Sequence, residues 1–293
     1  MTTTNVSYVF FGTGALAESV LASLMRGGYT PKAIVTKPDS LQGRHMQLTS
    51  PHIKTWADSK GIDVFQPKKL DQDFFETLSL VHADLFIVAS YGKIIPENIL
   101  ILPVHGVLNV HPSLLPLYRG PSPIESTLLH GDLITGVTII KLDKEMDHGP
   151  IVAQNAFTLN PEVTSGTLEV ESGQRGGELL VQVLPHYLEG TLIPKEQDHS
   201  KASICKKITK EIGEITLNIN ANDVRCKFRA LTPWPSVYFF HKHDGKTIRV
   251  KVASIDMTTY MSDDQTAKDI ILSVVPEGKK EMDFQSFLRG YSK

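Results

Sequence analysis

The chain has 293 residues, 41% hydrophobic and 21% charged, which excludes a disordered or fibrous protein and allows about two domains. Its 30 Lys and Arg against 32 Asp and Glu leave a net charge of −2, unevenly spread. Residues 1–200 hold 14 basic and 21 acidic side chains, whereas residues 201–293 hold 16 and 11, so the basic end points either to a polyanionic partner such as nucleic acid or to a solvated surface.

In chain order, the apolar run Val6–Phe11 predicts a strand that ends at Gly12, and Ala15–Met25 carries apolar residues at helical spacing up to Gly27. Ala33–Thr36 predicts a second strand, residues 37–51 a polar loop, Ile53–Lys60 a helix, Asp63–Phe65 a short strand and Phe74–His82 a helix. Asp84–Ser90 is a continuous apolar run of the kind buried on both faces of a sheet. Gly106–Val110 and Gly136–Leu142 predict two more strands around the helical stretch Ile124–His130, and Thr164–Leu188 a helix weakened in its middle by Gly173, Gly176 and Gly177. Residues 190–206 read as a linker. Beyond them Gly213–Asn218, Val237–His241, Thr247–Ser254 and Asp269–Val275 predict short strands of a small barrel or sandwich. The expected architecture is an α/β domain with a mainly parallel sheet over residues 1–189, a linker over 190–206 and a small basic β-domain over 207–293.

Only Cys205 and Cys226 occur, in neither CxxC spacing nor a Cys/His cluster, so no disulfide framework and no metal site are expected, in keeping with a reducing cytosol. The N-terminus has no basic n-region, and no apolar stretch approaches the roughly 18 residues that cross a membrane; a soluble, cytoplasmic protein is expected. Gly12-Thr13-Gly14 with Ala17 has the form of a nucleotide-binding turn, but no acid ends the second strand to hold a ribose, so the glycines are read chiefly as turn geometry.

Chemistry concentrates in NVHPSLLPLYRGPSP, residues 109–123. Asn109 and His111 are two apart, so on an extended strand they share a face, and Pro112 keeps His111 extended. A carboxamide can donate to a developing oxyanion and an imidazole can exchange protons near neutral pH, which suits acyl chemistry; the alternative is that both merely satisfy loop backbone. Asp143, Glu145 and Asp147 follow a neighbouring strand, and one of them could orient His111. Farther on, Trp234 between Pro233 and Pro235 reads as a packing anchor. Arg225, Lys227 and Arg229, with Lys206, Lys207, Lys279 and Lys280, could face phosphate.

The stretch NVHPSLLPLYRGPSPIESTLLHGDLITGVTIIKLDKEMDHG resembles the core of the methionyl-tRNA formyltransferases, with their N-x-H-x-SLLP-x-x-RG element followed by G-x-T and an aspartate. FFGTGALAESVLASL, KPDSLQGRHMQLTSPHIKTWA, VASYGKIIP, TSGTL, FRALTPWPSVYF and PEGKKEMDFQSFL extend the resemblance over essentially the whole chain. It implies a Rossmann-like formyltransferase domain and an OB-like barrel, and formyl transfer from 10-formyltetrahydrofolate to methionyl initiator tRNA by a monomer, releasing tetrahydrofolate. It further implies that Asn109, His111 and Asp147 are catalytic, that Ser113, Leu114, Leu115 and Pro116 contact the folate, and that Arg44 reaches the tRNA. The sequence departs from the family pattern in His45, Met46 and Gln47, where basic residues are usual, in His148 and Pro150 beside Asp147, and in Leu217, where a tryptophan is frequent. The other readings are a folate-dependent formyltransferase acting on an amino-sugar nucleotide, a non-catalytic RNA-binding relative and, more remotely, a dinucleotide-dependent dehydrogenase.

Overall fold

The structure, a computed structural model, describes residues 6–42, 46–257 and 265–291, in two compact units. The first comprises residues 1–123, 135–157 and 169–205, the second 124–134, 158–168 and 206–293. The chain runs β1 (Tyr8–Gly12), α1 (Ala15–Arg26), β2 (Ala33–Val35), β3 (Ser40–Gln42), β4 (Gln47–Thr49), α2 (His52–Lys60), β5 (Asp63–Phe65), α3 (Gln72–Ser79), β6 (Leu85–Ala89) and α4 (Glu97–Leu100). It continues through β7 (Val107–His111), α5 (Pro123–Leu129), β8 (Ile134–Lys141), β9 (Ile151–Thr158) and α6 (Ser165–Leu188).

Seven strands form one sheet in the order β5-β2-β1-β6-β7-β8-β9. The pairs from β5 to β7 are parallel and β7–β8 is antiparallel, so the expected mainly parallel sheet is present. β1 and β6 are buried at every position, which is why they read as unbroken apolar runs rather than alternating ones. Strand order reverses about β1, and in open sheets of this kind ligands bind beyond the carboxyl ends of the strands.

The three glycines of α6 have a packing reason. A Cβ on Gly173 would meet the Leu16 carbonyl and Ser19 Cβ of α1, one on Gly177 would meet Ser23 Cβ, and one on Gly176 would collide with Val110 Cγ1 on β7. Glycine costs helix propensity here and gains close contact with α1 and with the strand that carries the site. Gly176→Ala would overpack this contact at a cost of about 1–3 kcal/mol.

The loop expected over 37–51 contains a short hairpin, β3 with β4, whose strands have only three residues each. The structure adds β9, which lies at the sheet edge with half its residues facing water and so carries no continuous apolar run.

In the second unit, α7 (Ala221–Leu231), β10 (Tyr238–His243), β11 (Lys246–Ile255), α8 (Ala267–Ile270), β12 (Ile271–Pro276), β13 (Met282–Asp283) and α9 (Phe284–Gly290) surround an apolar core. The sheet is an antiparallel meander in the order β10-β11-β12-β13. Asp244 and Gly245, at φ 50° and 72°, make the two-residue turn between β10 and β11, as Asp-Gly between strands should. Val237, Phe239, Val250, Val252 and Val274 face Phe284 and Phe287 in this core. The strand expected at 213–218 is instead a 3-10 turn at Glu211–Gly213 and one isolated bridge, Glu214 to Tyr238. Trp234 is 55% exposed, so it is not the packing anchor that its flanking prolines suggested.

Candidate active site

β7 ends at His111, which pairs with Thr138 of β8, and Asn109 stands two residues back, opposite Ile140. His111 is buried, and both ring nitrogens face oxygen. Nε2 lies 2.9 Å from the Tyr118 carbonyl, which can only accept, so this nitrogen carries a proton. Nδ1 lies 3.5 Å from Asp147 Oδ1. The other Asp147 oxygen, Oδ2, accepts from the Gly120 amide at 2.7 Å. Asn109 is partly exposed, and its carboxamide makes no hydrogen bond to another described residue.

Of the three acids the spacing offered, only Asp147 approaches His111. Asp143 pairs with His148 Nδ1 at 2.7 Å and accepts from the Glu145 amide, and Glu145 points to water. Asp147 sits at φ 51°, in the left-handed region, which aspartate tolerates better than most residues and which turns its carboxylate back to the strand end. Gly149 allows the chain to leave that turn, since a Cβ there would collide with the Lys141 carbonyl.

The SLLP segment divides into structural and available groups. Ser113 is fully buried, and its hydroxyl donates to the Leu117 carbonyl at 2.7 Å, while its own carbonyl accepts from Thr138 Oγ1 at 2.6 Å. The Leu115 amide donates to Thr138 Oγ1, and its carbonyl accepts from Gln154 Nε2 at 2.8 Å. Leu115 is buried, whereas Leu114 and Pro116 keep partial exposure. A cosubstrate's ring can therefore lie against Leu114 and Pro116, with Ser113 and Leu115 shaping the turn beneath, and to that extent these residues fit a folate.

Residues 190–206, expected as a linker, supply groups that the sequence did not single out. Gln197 Nε2 donates to the carbonyls of Asp147 and Gly149, at 2.9 and 2.8 Å. Its Oε1 accepts from Arg119 Nε and Nη2, at 3.2 and 2.6 Å, and Arg119 Nη2 also contacts His199 Nδ1 at 2.8 Å. His199 stacks on His148 with ring centroids 4.1 Å apart. The Ser203 carbonyl and hydroxyl accept from the Arg119 and Tyr118 amides, the Cys205 amide donates to the Arg119 carbonyl, and Cys205 Sγ accepts from the Ser122 amide. No periodicity marks this stretch, because its order comes from hydrogen bonds to a distant loop rather than from an apolar face.

Other expected site residues fare differently. Arg44 lies outside the described residues. Arg225, Lys227 and Arg229 do not face solvent phosphate, because α7 turns them onto carbonyls: Arg225 onto Asp256, Lys227 onto Ile212 and Glu214, and Arg229 onto Val163. Lys206, Lys207, Lys279 and Lys280 are exposed. At the end of β1, Glu169 Oε1 accepts from the Leu16 amide at 3.3 Å and so holds the helix N-terminus where a phosphate would sit in a nucleotide-binding protein. Among the described residues no group of three His, Cys, Asp or Glu could hold a metal, and no helix is long and apolar enough to cross a membrane.

The sequence model of the family described as Formyl transferase matches residues 5–184, and that described as Formyl transferase, C-terminal domain, matches residues 207–292. A methionyl-tRNA formyltransferase of Chloroflexus aggregans is 41% identical over 85% of this chain and 81% of its own length. Another, of Dictyoglomus thermophilum, is 38% identical over 97% and 96%. Among solved structures, HypX from Aquifex aeolicus in complex with tetrahydrofolic acid superposes with a TM-score of 0.67 at 15% identity, over 99% of this chain and 48% of HypX. A 4-N formyltransferase from Francisella tularensis gives 0.64 at 17% identity, over 83% and 96%. At such identities the superpositions show a shared fold.

Proposed function

The chain belongs to the methionyl-tRNA formyltransferase family, and on that premise we propose that it transfers the formyl group of 10-formyltetrahydrofolate to the α-amine of methionyl initiator tRNA. The reading is supported above all by one arrangement: a buried imidazole at a strand end, a carboxylate shared between that imidazole and a loop amide, and an uncommitted carboxamide two residues away.

The bound folate supplies the formyl group. As the amine attacks the formyl carbon, the new C–N bond forms, the carbonyl oxygen becomes an oxyanion and the bond to the folate nitrogen then breaks. Asn109, whose carboxamide has no partner among the described residues, donates to that oxyanion. His111 provides the second donor, for which substrate competes with the Tyr118 carbonyl. Asp147 orients His111 and carries the proton lost by the amine towards the departing folate nitrogen, directly or through water. Leu114 and Pro116 line the folate side, and Ser113 and Leu115 hold their backbone in place.

Residues 207–293 hold the tRNA through exposed lysines such as Lys207, Lys279 and Lys280, Lys206 adds its charge from the end of the linker, and Arg44 reaches the acceptor end. The catalytic part covers residues 1–189, and 190–206 both connects the two parts and furnishes Gln197. The enzyme acts as a monomer in the cytosol, which sedimentation at the mass of one chain would support.

The deciding experiment incubates the purified protein with 10-formyltetrahydrofolate and either initiator or elongator methionyl-tRNA. Formylmethionine confined to the initiator is expected. Its absence from both tRNAs, in protein that binds folate, would refute the reading.

A further inference from the structure

We propose that Gln197 is a positioning residue for formyl transfer: its carboxamide, aimed by Arg119, clamps the Asp147 turn so that the carboxylate spans His111 Nδ1 and the Gly120 amide. This rests on the catalytic reading of His111 and Asp147 given above. Left-handed backbone at a residue other than glycine persists where its surroundings hold it, and at Asp147 the holding group is Gln197. Its two N–H groups reach the carbonyls of residues 147 and 149, on either side of His148.

The polarity of the clamp is fixed. A guanidinium has only donors and the two backbone carbonyls are only acceptors, so the Gln197 oxygen must face Arg119 and its nitrogen must face the turn. Gln197 and Arg119 are 5% and 9% exposed, so water does little to substitute for either contact. Arg119 belongs to the same loop as Tyr118 and Gly120, whose carbonyl and amide contact His111 and Asp147. One side chain thus ties the loop that holds the histidine to the turn that holds the aspartate.

Gln197→Glu tests this with a side chain of the same shape. It keeps, and strengthens, the partner of Arg119 while setting a carboxylate oxygen against two carbonyls. The expected result is a fall in kcat of about 10²-fold, the scale of a misplacement near 1 Å, with KM for both substrates close to the parent's and a melting temperature that is lowered but stays above the assay temperature. Gln197→Met, which removes the clamp without adding charge, should move kcat the same way. Arg119→Lys, which loses the planar fork, should act less than additively when combined with Gln197→Met. A second readout does not depend on turnover: in protein labelled with ¹⁵N-histidine, the His111 Nδ1 signal, assigned through His111→Gln, should shift in Gln197→Glu in the direction seen in Asp147→Asn. Parental kcat in folded Gln197→Glu, or a lost kcat with an unmoved His111 signal, would overturn the proposal. Turnover retained in Asp147→Asn would instead sink the catalytic reading, and the His111 signal would still decide whether Gln197 sets the pair.

Discussion

The carboxyl ends of β1 and β7 are two strand-to-loop turns of the same sheet, and they use their polar groups in opposite ways. At β1 the turn Gly12-Thr13-Gly14 has the outline of a phosphate cradle, yet its groups are spent internally. Thr13 and Thr36 share a hydrogen bond of 3.0 Å, Glu169 accepts from the Leu16 amide, and a Cβ on Gly12 would press on Ala17 and the Ala89 carbonyl. At β7 the carboxamide of Asn109 has no hydrogen-bond partner among the described residues, and the His111–Asp147 pair keeps some access to water, Asp147 at 13% side-chain exposure. A glycine pattern reports where the backbone must bend. What remains unsatisfied at the bend reports where a ligand can be met.

The largest effects should fall at β7. Asp147→Asn, which tolerates the same left-handed backbone, and His111→Ala should each lower kcat by about 10²-fold or more without unfolding the protein, as followed by steady-state formylation and circular dichroism. Near-normal turnover in either would break the contrast. Asn109→Ala should follow, with a fall of about 10²-fold in kcat and a KM for the folate close to the parent's, the mark of a donor used only in the transition state.

At β1 the same measurements should give the reverse. Glu169→Gln should leave kcat near the parent's and lower stability by about 0.3–1 kcal/mol through the helix N-terminus, read from urea titration. A large loss of turnover there would mean that the first turn also serves the reaction. The smallest effect concerns Glu18, one turn into α1. Burial raises its carboxyl above the ordinary carboxylate range, His52 pulls it back and the Glu169 carboxylate adds to the rise. A carboxyl raised on folding favours the native state fully below its unfolded pKa, and that advantage is lost as pH rises through the folded value. Glu18→Gln should therefore stabilise the protein at neutral pH, by about 0.5 kcal/mol or less given its contact with water, and the gain should vanish below about pH 4. A gain independent of pH would point to packing rather than charge.

Most of the first sheet was legible because burial on both faces writes itself as apolar runs, as in β1 and β6. The hairpin β3–β4 was not, since strands of three residues with β4 wholly exposed leave no hydrophobic period. Arg225, Lys227 and Arg229 read as cations that could face phosphate from a strand or a helix edge. They lie on a helix and satisfy carbonyls of their own unit, and charge alone does not say which way a side chain turns. Within the site, Asn109 and His111 were recognisable by spacing, and resemblance singled out Asp147 from its two neighbours. Gln197 had no local signal at all, because its function as a clamp exists only once residues 119, 147 and 149 have been brought to it.

The glycines of α6 set a time scale as well as a distance. Gly176 brings the helix onto Val110, between Asn109 and His111, with no side chain of its own to change rotamer and take up movement. The floor of the site is thereby held by covalent backbone on one side and a stiff β-branched residue on the other. Amide protons of β7 should accordingly exchange with solvent only when the whole unit opens, whereas those of the exposed β3–β4 hairpin should exchange through local fraying. Asn109 and His111 would then sit on the slowest-opening strand of the first unit, and the three-residue strands β3 and β4 would be among the quickest to open.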